Sequence, residues 1–246
     1  MIGAVRAAGD AAQAALIHGA AALGVALTDA QIDQFAQLSA RLQEGKRAFN
    51  LTALTDPVDI AVKHFVDALT VLAALPADTR RVIDVGTGAG FPGLPLKIAR
   101  PDLEMTLLEA TTKKAEWVRG TAAALGLEGT DVVTGRAEEA AHEQRFRAHF
   151  DAAVARALAP LPVLLELCLP FVRPGGVLVA QKTSHSLETE LPQARRALEV
   201  LGGRLRAVRP VELPELPNRV LLVVEQIRQV PAQYPRRPGV PGKKPL

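Results

Sequence analysis

The chain has little of what secreted, metal-binding or membrane-spanning proteins are built from. A single cysteine, Cys168, stands in 246 residues. One thiol excludes a disulfide framework and a Cys-rich zinc site, and it fits a reducing compartment. No His, Cys and Glu positions have metal-ligand spacing, so no metal is expected. No window reads as a membrane span: the most apolar, Ala152 to Val172, contains Arg156, Glu166 and three prolines. The N-terminus, MIGAVRAAGDAAQAAL, is rich in alanine and carries Asp10 before its apolar run. That is a poor signal peptide, and a cytoplasmic location is expected. Internal repeats are absent, and at 48% hydrophobic and 22% charged the composition is that of a globular domain.

Acidic residues are missing from one place in particular. The last 16 residues, PAQYPRRPGVPGKKPL, hold Arg236, Arg237, Lys243 and Lys244 and no acid. They contribute +4 to a net charge of +3, so the other 230 residues sum to −1. A basic, proline-rich end is expected to be extended, either as a solvated terminus or as an arm on a phosphate backbone.

Three regions follow from the pattern. Residues 1–77 read as helices. Thr28 to Gln31 is a capping-box pattern opening a stripe of Ile32, Phe35, Leu38 and Leu42. Thr55 or Asp56 caps a second helix, whose apolar stripe runs Val58, Val62, Phe65, Val66, Leu69 and Leu72, with His64 and Asp67 off it. His64 then reads either as an exposed histidine paired with Asp67 or as a functional group. Residues 78–230 alternate short apolar runs with helix-length segments, including one helix over Leu187–Leu201. That predicts a Rossmann-like α/β fold with a mostly parallel seven-stranded sheet and helices on both faces. RLRAV and VLLVVEQI have no long helix between them and predict an edge hairpin. Residues 231–246 form the basic tail.

The informative stretch is VIDVGTGAGFPGLPLKIA, Val82 to Ala99. It contains G-x-G-x-x-G at Gly88, Gly90 and Gly93, the dinucleotide pattern of an NAD-linked oxidoreductase. The match begins two residues after the strand end, however. The pattern that abuts the strand is Asp84-Val-Gly86-Thr-Gly88-Ala-Gly90. An aspartate at the loop mouth repels a pyrophosphate and suits a ligand carrying an ammonium and a sulfonium, such as S-adenosylmethionine (SAM). Glu109, at the end of the second strand, can accept hydrogen bonds from ribose hydroxyls in either case. Ala137 and Glu138 can meet an adenine edge. Arg156, at the fourth strand end, can hold a phosphate, stack on a base, or pair with Glu138.

Absences narrow the chemistry. The fourth strand lacks the Asp/Asn-Pro-Pro-aromatic box of amino-group methyltransferases, and no Pro-Cys or Thr-Cys supplies a cytosine-C5 nucleophile. Cys168, in PVLLELCLPF, reads as a core residue. An acceptor such as guanine N7, which needs no deprotonation, is consistent with this set.

Several stretches together resemble the RsmG/GidB family of bacterial small-subunit rRNA methyltransferases: NLTALTDPVDIAVKHFVDALT, VIDVGTGAGFPGLPLKIARP, GRAEEA, AVARALAP, PGGVLVAQK and YPRRPGVPGKKPL. The resemblance implies SAM-dependent methylation of guanine N7 (guanine 527) in the loop around nucleotide 530 of 16S rRNA, as free rRNA, small subunit or assembly intermediate. It implies Gly86 and Phe91 against SAM, Glu109, Ala110 and Thr111 near its ribose, and Ala137 and Glu138 at its adenine. Arg156 would approach the methionine end or the target base. Asn50, His64 and Lys182 would line the RNA side of the cleft, with Arg236 and Arg237 of the tail as further RNA contacts. His64, Arg156 and Lys182 are thus the candidate catalytic groups. A SAM- and RNA-binding protein without catalysis is the remaining alternative.

Overall fold

The computed structural model of the chain describes residues 2–49 and 52–246. Strands Arg81–Val85 (β1), Glu104–Glu109 (β2), Thr130–Thr134 (β3), Phe150–Arg156 (β4), Val172–Thr183 (β5), Gly203–Pro210 (β6) and Arg219–Gln226 (β7) make one sheet, in the order β3-β2-β1-β4-β5-β7-β6. The first five are parallel. β7 runs antiparallel between β5 and β6. Only a short loop joins β6 to β7, too short for a crossover, so this pair must be antiparallel. The expected mixed sheet and edge hairpin are both present, and the second strand of the hairpin is the inner one.

The helices are Ile2–Ala22 (α1), Asp29–Phe49 (α2), a continuous helical stretch over 57–74 (α3), Gly93–Ala99 (α4), Thr112–Ala124 (α5), Ala137–Ala140 (α6), Leu161–Cys168 (α7), Ser184–Gln193 (α8), Arg195–Leu201 (α9) and Val240–Lys243 (α10). The helix expected over Leu187–Leu201 is divided into α8 and α9 at Ala194, just after Pro192, which has no N–H to continue the ladder.

Strand residues alternate between two apolar layers. Val82, Val177 and Val179 face one, with α1 to α5. Ile83, Leu178 and Ala180 face the other, with α6 to α9. Burial on both faces is why the central strands read as continuous apolar runs. The N-terminal helices are continuous with the first layer: Leu16, Phe35, Leu38 and Phe65 lie in the same cluster as Val82 and Leu107. Gln31 helps dock them. Its Oε1 accepts the Thr28 N–H at 2.8 Å, closing the expected capping box, while its Nε2 donates to the Ile98 and Ala99 carbonyls at the end of α4.

The tail corrects an expectation, because it is packed rather than extended. Arg236 donates from its backbone N–H and its guanidinium to Glu166, with three bonds of 2.6–2.9 Å, and Glu166 is fully buried in α7. Arg147 donates to the carbonyls of Val230, Pro231 and Tyr234, and His142 Nε2 to that of Pro235. Tyr234 and Leu246 pack on the second apolar layer. Proline carbonyls are good acceptors, and a buried carboxylate demands a cation; composition alone does not reveal either partner.

Arg236→Ala leaves Glu166 buried without its cation and is expected to lower unfolding free energy by about 3 kcal/mol in urea denaturation. A change under about 0.5 kcal/mol, the usual range for a surface site, would contradict this assignment.

Candidate active site

The strand order reverses between β1 and β4, so the cleft opens above their C-terminal ends, where ligands bind in such sheets. The loop after β1 is folded back on itself. Gly86 takes φ +70°, which glycine alone adopts without strain. A Cβ on Gly93 would stand 2.2 Å from Leu107 Cδ2 and 2.9 Å from Asp84 Oδ2, so α4 can start there only as glycine.

Asp84 is what holds this loop. Its Oδ2 accepts from the Thr87 hydroxyl at 2.6 Å and from the Gly93 N–H at 2.8 Å. It is fully buried, Oδ1 has no hydrogen-bond partner, and the side chain does not line the cleft. The expectation that Asp84 meets the ligand is therefore corrected: it braces the loop from below. Burial pushes its carboxyl up to about 6 against the Thr87 and Gly93 bonds.

Most of the loop N–H groups are committed within the protein, Ala89 excepted. Gly86 and Thr87 donate to the Leu108 carbonyl, Gly90 and Phe91 to that of Thr87, Leu94 to that of Gly90, and Gly93 to Asp84. Gly88 donates to Glu109 Oε2. A pyrophosphate bound by a glycine-rich loop needs those donors free. The dinucleotide reading of Gly88, Gly90 and Gly93 fails here on geometry as well as on register.

The cleft itself is a cavity of about 590 Å³. Gly86, Gly88, Phe91, Glu109, Ala110, Ala137, Glu138, Arg156 and His64 all line it, so most of the expected residues converge on one space. Gly90 and Thr111 are not among the cavity's lining residues; Thr111 occupies the N-cap position of α5. Glu109 is fixed by two backbone donors, Gly88 to Oε2 and Thr111 to Oε1 at 2.8 Å. Glu138 accepts from Arg136 and from the Gly239 N–H. Burial alone would raise its carboxyl, but these bonds outweigh it and hold it below the usual carboxylate range. Acceptors line one side and committed donors the loop. This suits a nucleoside with cationic substituents, so the residues fit SAM.

At the other end stand Arg156 and His64. Arg156 does not pair with Glu138. It donates to Asp67 Oδ2 at 3.1 Å, to the Lys63 carbonyl and to His64 Nδ1 at 3.3 Å, and lies 5.0 Å over the Phe91 ring. With Nδ1 accepting, His64 carries its hydrogen on Nε2 and donates to Thr52 Oγ1 at 2.8 Å. Its ring stacks on Phe91 with centroids 4.7 Å apart. The surface pairing of His64 with Asp67 is thus replaced. Residues Ala61–Val66 run as a π-helix, a wider turn that carries His64 and the Lys63 carbonyl toward the cleft. Burial and the Arg156 charge lower the His64 imidazole to about 4, so it is neutral at physiological pH.

Two further expectations change. Lys182 is not free for RNA: it donates to Glu190 at 2.6 Å and to the Ala159 carbonyl at 2.8 Å, and is 10% exposed. Arg236 is committed to Glu166, as above, whereas Arg237 is exposed. Asn50 lies outside the described residues. Sequence reasoning missed Asp67, Arg219 and the tail residues Gly239, Pro241 and Gly242, which also line the cavity. Asp67 stands off an apolar stripe, and the sequence offers it only as a partner for His64.

Residues 31–216 match the family described as GidB, rRNA small subunit methyltransferase G. The chain belongs to this family. A ribosomal RNA small subunit methyltransferase G from Deinococcus deserti is 50% identical over 94% of this chain and 95% of its own length. That of Pelotomaculum thermopropionicum is 43% identical over 93% and 96%. Among solved structures, an O-methyltransferase from Bacillus cereus in complex with SAH has a TM-score of 0.55 at 21% identity, over 77% of this chain and 90% of its own. The fold is therefore the Rossmann-like one of SAM-dependent methyltransferases.

Stability should respond to pH through two opposed groups. Folded Asp84 keeps its proton to about pH 6 and unfolded Asp releases it near 4, so its contribution is full below about 4 and falls by roughly 3 kcal/mol as pH rises through 6. Folded His64 protonates only near 4, so its contribution is present above about 6.5 and is lost as pH falls toward 4. Asp84→Asn keeps both accepted bonds and should remove the first trend, and His64→Gln the second, in denaturation at pH 4 to 7.5. Variant profiles parallel to the parent would rule out both assignments.

Proposed function

We infer that the chain is a SAM-dependent methyltransferase of 16S rRNA that methylates guanine N7 in the loop around nucleotide 530. One observation carries the reading: a fixed carboxylate, Glu109, and a loop most of whose N–H groups are engaged face the same cavity as Arg156, within a chain of the rRNA small subunit methyltransferase G family. SAM supplies an electrophilic methyl group when bound.

The chain's own part is binding and orientation. Glu109 presents acceptor lone pairs to the ribose hydroxyls, and Ala137 and Glu138 face the adenine. Arg156 offers a guanidinium to the methionine carboxylate or the target base, and its direction is set by Asp67. His64 adds no charge beside it, because it is neutral. That matters for guanine N7, which becomes cationic on methylation: a protonated histidine at this site would oppose the product. Guanine N7 carries an in-plane lone pair, so the site needs no general base, and none of the residues gathered here is asked to remove a proton.

The RNA side is less enclosed. Gly242 lines the cavity and Lys243 and Lys244 follow it, exposed, as is Arg237. These cations, rather than Lys182 and Arg236, are the tail's phosphate contacts. Assembled small subunits or their precursors, in the cytoplasm, are the substrate class.

Labelled methyl transfer to small subunits from a strain lacking its own enzyme should yield 7-methylguanosine by nucleoside mass spectrometry. A product methylated elsewhere, or none, would overturn the N7 reading. Glu109→Ala should weaken SAM binding by roughly tenfold or more, the value of a charged hydrogen bond. Replacing Arg237, Lys243 and Lys244 by alanine should flatten the salt dependence of RNA binding; an unchanged slope would remove the tail from the RNA interface.

A further inference from the structure

The C-terminal segment has an inner face. Gly239, Pro241 and Gly242 line the cavity alongside Glu138, Ala137 and Lys114, although they are some hundred residues further along the chain. We propose that residues 236–242 are the adenine-side wall of the SAM pocket, and that Arg236 positions this wall by anchoring it to α7. The proposal rests on the cofactor reading given above and adds a part of the site that the glycine loop and strand ends do not contain.

The argument begins with Glu138. It is 5% exposed, and its Oε1 takes the Gly239 N–H at 3.1 Å besides the Arg136 guanidinium at 2.8 Å. With the tail docked, the carboxylate is fixed at the end that faces the adenine. Without it, one of two donors is lost and the Pro241 ring, buried in the folded chain, leaves the cavity edge. The wall cannot be held by its own length, because α10 is a single turn. It is held from outside: by Arg236 on fully buried Glu166, by Arg147 on the Tyr234, Val230 and Pro231 carbonyls, and by His142 on the Pro235 carbonyl. The side-chain clamps from Arg236, Arg147 and His142 all lie before Pro238, whereas the residues of the segment that line the cavity, and the Gly239–Glu138 bond, lie after it. The segment is thus divided into an attachment and a wall.

Gly242 shows that the wall faces open space. A Cβ built there meets no atom within 4 Å, and its φ is not in the left-handed region. A larger side chain fits the backbone at this position, on the edge of the cavity that Gly242 lines.

Calorimetric titration of SAM into three full or nearly full chains tests this: the parent, a chain ending at Pro238, and Gly242→Leu. The chain ending at Pro238 keeps the Arg236, Arg147 and His142 clamps but loses the Gly239–Glu138 bond and the Leu246 packing, so it should stay folded with a modestly lower thermal midpoint while its SAM Kd rises roughly tenfold or more. Gly242→Leu should weaken SAM by a similar factor with the midpoint unchanged, and it decides the matter if the shortened chain does not fold. SAM affinity equal to the parent in the folded variants overturns the proposal and leaves the cofactor reading standing. A parent chain that binds no SAM overturns the cofactor reading and this proposal with it.

Discussion

A carboxylate without access to water joins the helix before the sheet to three of its strands. Asp67 in α3 is fully buried. It receives Arg156 from β4 at Oδ2, Arg219 from β7 at the same oxygen, and Gln181 from β5 at its carbonyl and Oδ1. Arg219 Nε also lies 2.7 Å from Oδ1, off the line of a hydrogen bond. An isolated buried carboxylate is untenable, and two guanidiniums with nothing between them would repel; each makes the other permissible. The consequence is positional. Arg156 cannot swing freely from the cleft, because its Nη1 is committed to Asp67 and the Lys63 carbonyl, and it reaches His64 and Phe91 from that fixed base. The insertion of β7 beside β5, which at first is only a matter of topology, is what brings Arg219 to this point.

The glycine loop shows the same logic at smaller scale. A literal motif and a physical site need not coincide. Gly88, Gly90 and Gly93 satisfy the dinucleotide spacing, but Gly93 is glycine because Leu107 and Asp84 leave no room for a Cβ, and Gly88 turns its N–H to Glu109. An anion-binding loop keeps its donors uncommitted until the ligand arrives. This one has engaged most of them before any ligand arrives, and it offers carboxylates instead.

Local pattern was enough for the strands, the Thr28–Gln31 capping box and the register of this loop. Alternation of apolar runs with helix-length segments pointed to the sheet, since both faces are covered and the middles of the central strands are apolar. The strand-end residues Glu109, Ala137, Glu138 and Arg156 converge because parallel strands all deliver their C-termini to one edge. What local pattern could not show was pairing over distance. Lys182 and Glu190 are eight residues apart across a strand-helix turn, Arg236 and Glu166 seventy. A basic residue in isolation reads as a phosphate contact, and only the fold reveals which of them already have a carboxylate. Asp84 is the converse: its position at the strand end was legible, but its burial beneath the loop depends on how Gly93 packs.

Charge at the cleft follows from these pairings. Arg156 and Arg219 share Asp67, Glu109 adds a carboxylate, His64 is neutral, Lys182 is balanced by Glu190, and Glu138 is matched by Arg136. Exposed cations lie outside on Arg237 and the two terminal lysines, where salt screening and phosphate contact apply, and Lys114 stands in the cavity lining. An enzyme whose substrate is a polyanion and whose methylated base is a cation gains from this separation. Attraction acts at the rim, at a distance from the reacting atoms, while the interior stays close to neutral and does not oppose the charge that forms there. The tail serves both halves of this division, because the same segment that walls the cavity with Gly239 and Pro241 carries the cations on its outer side.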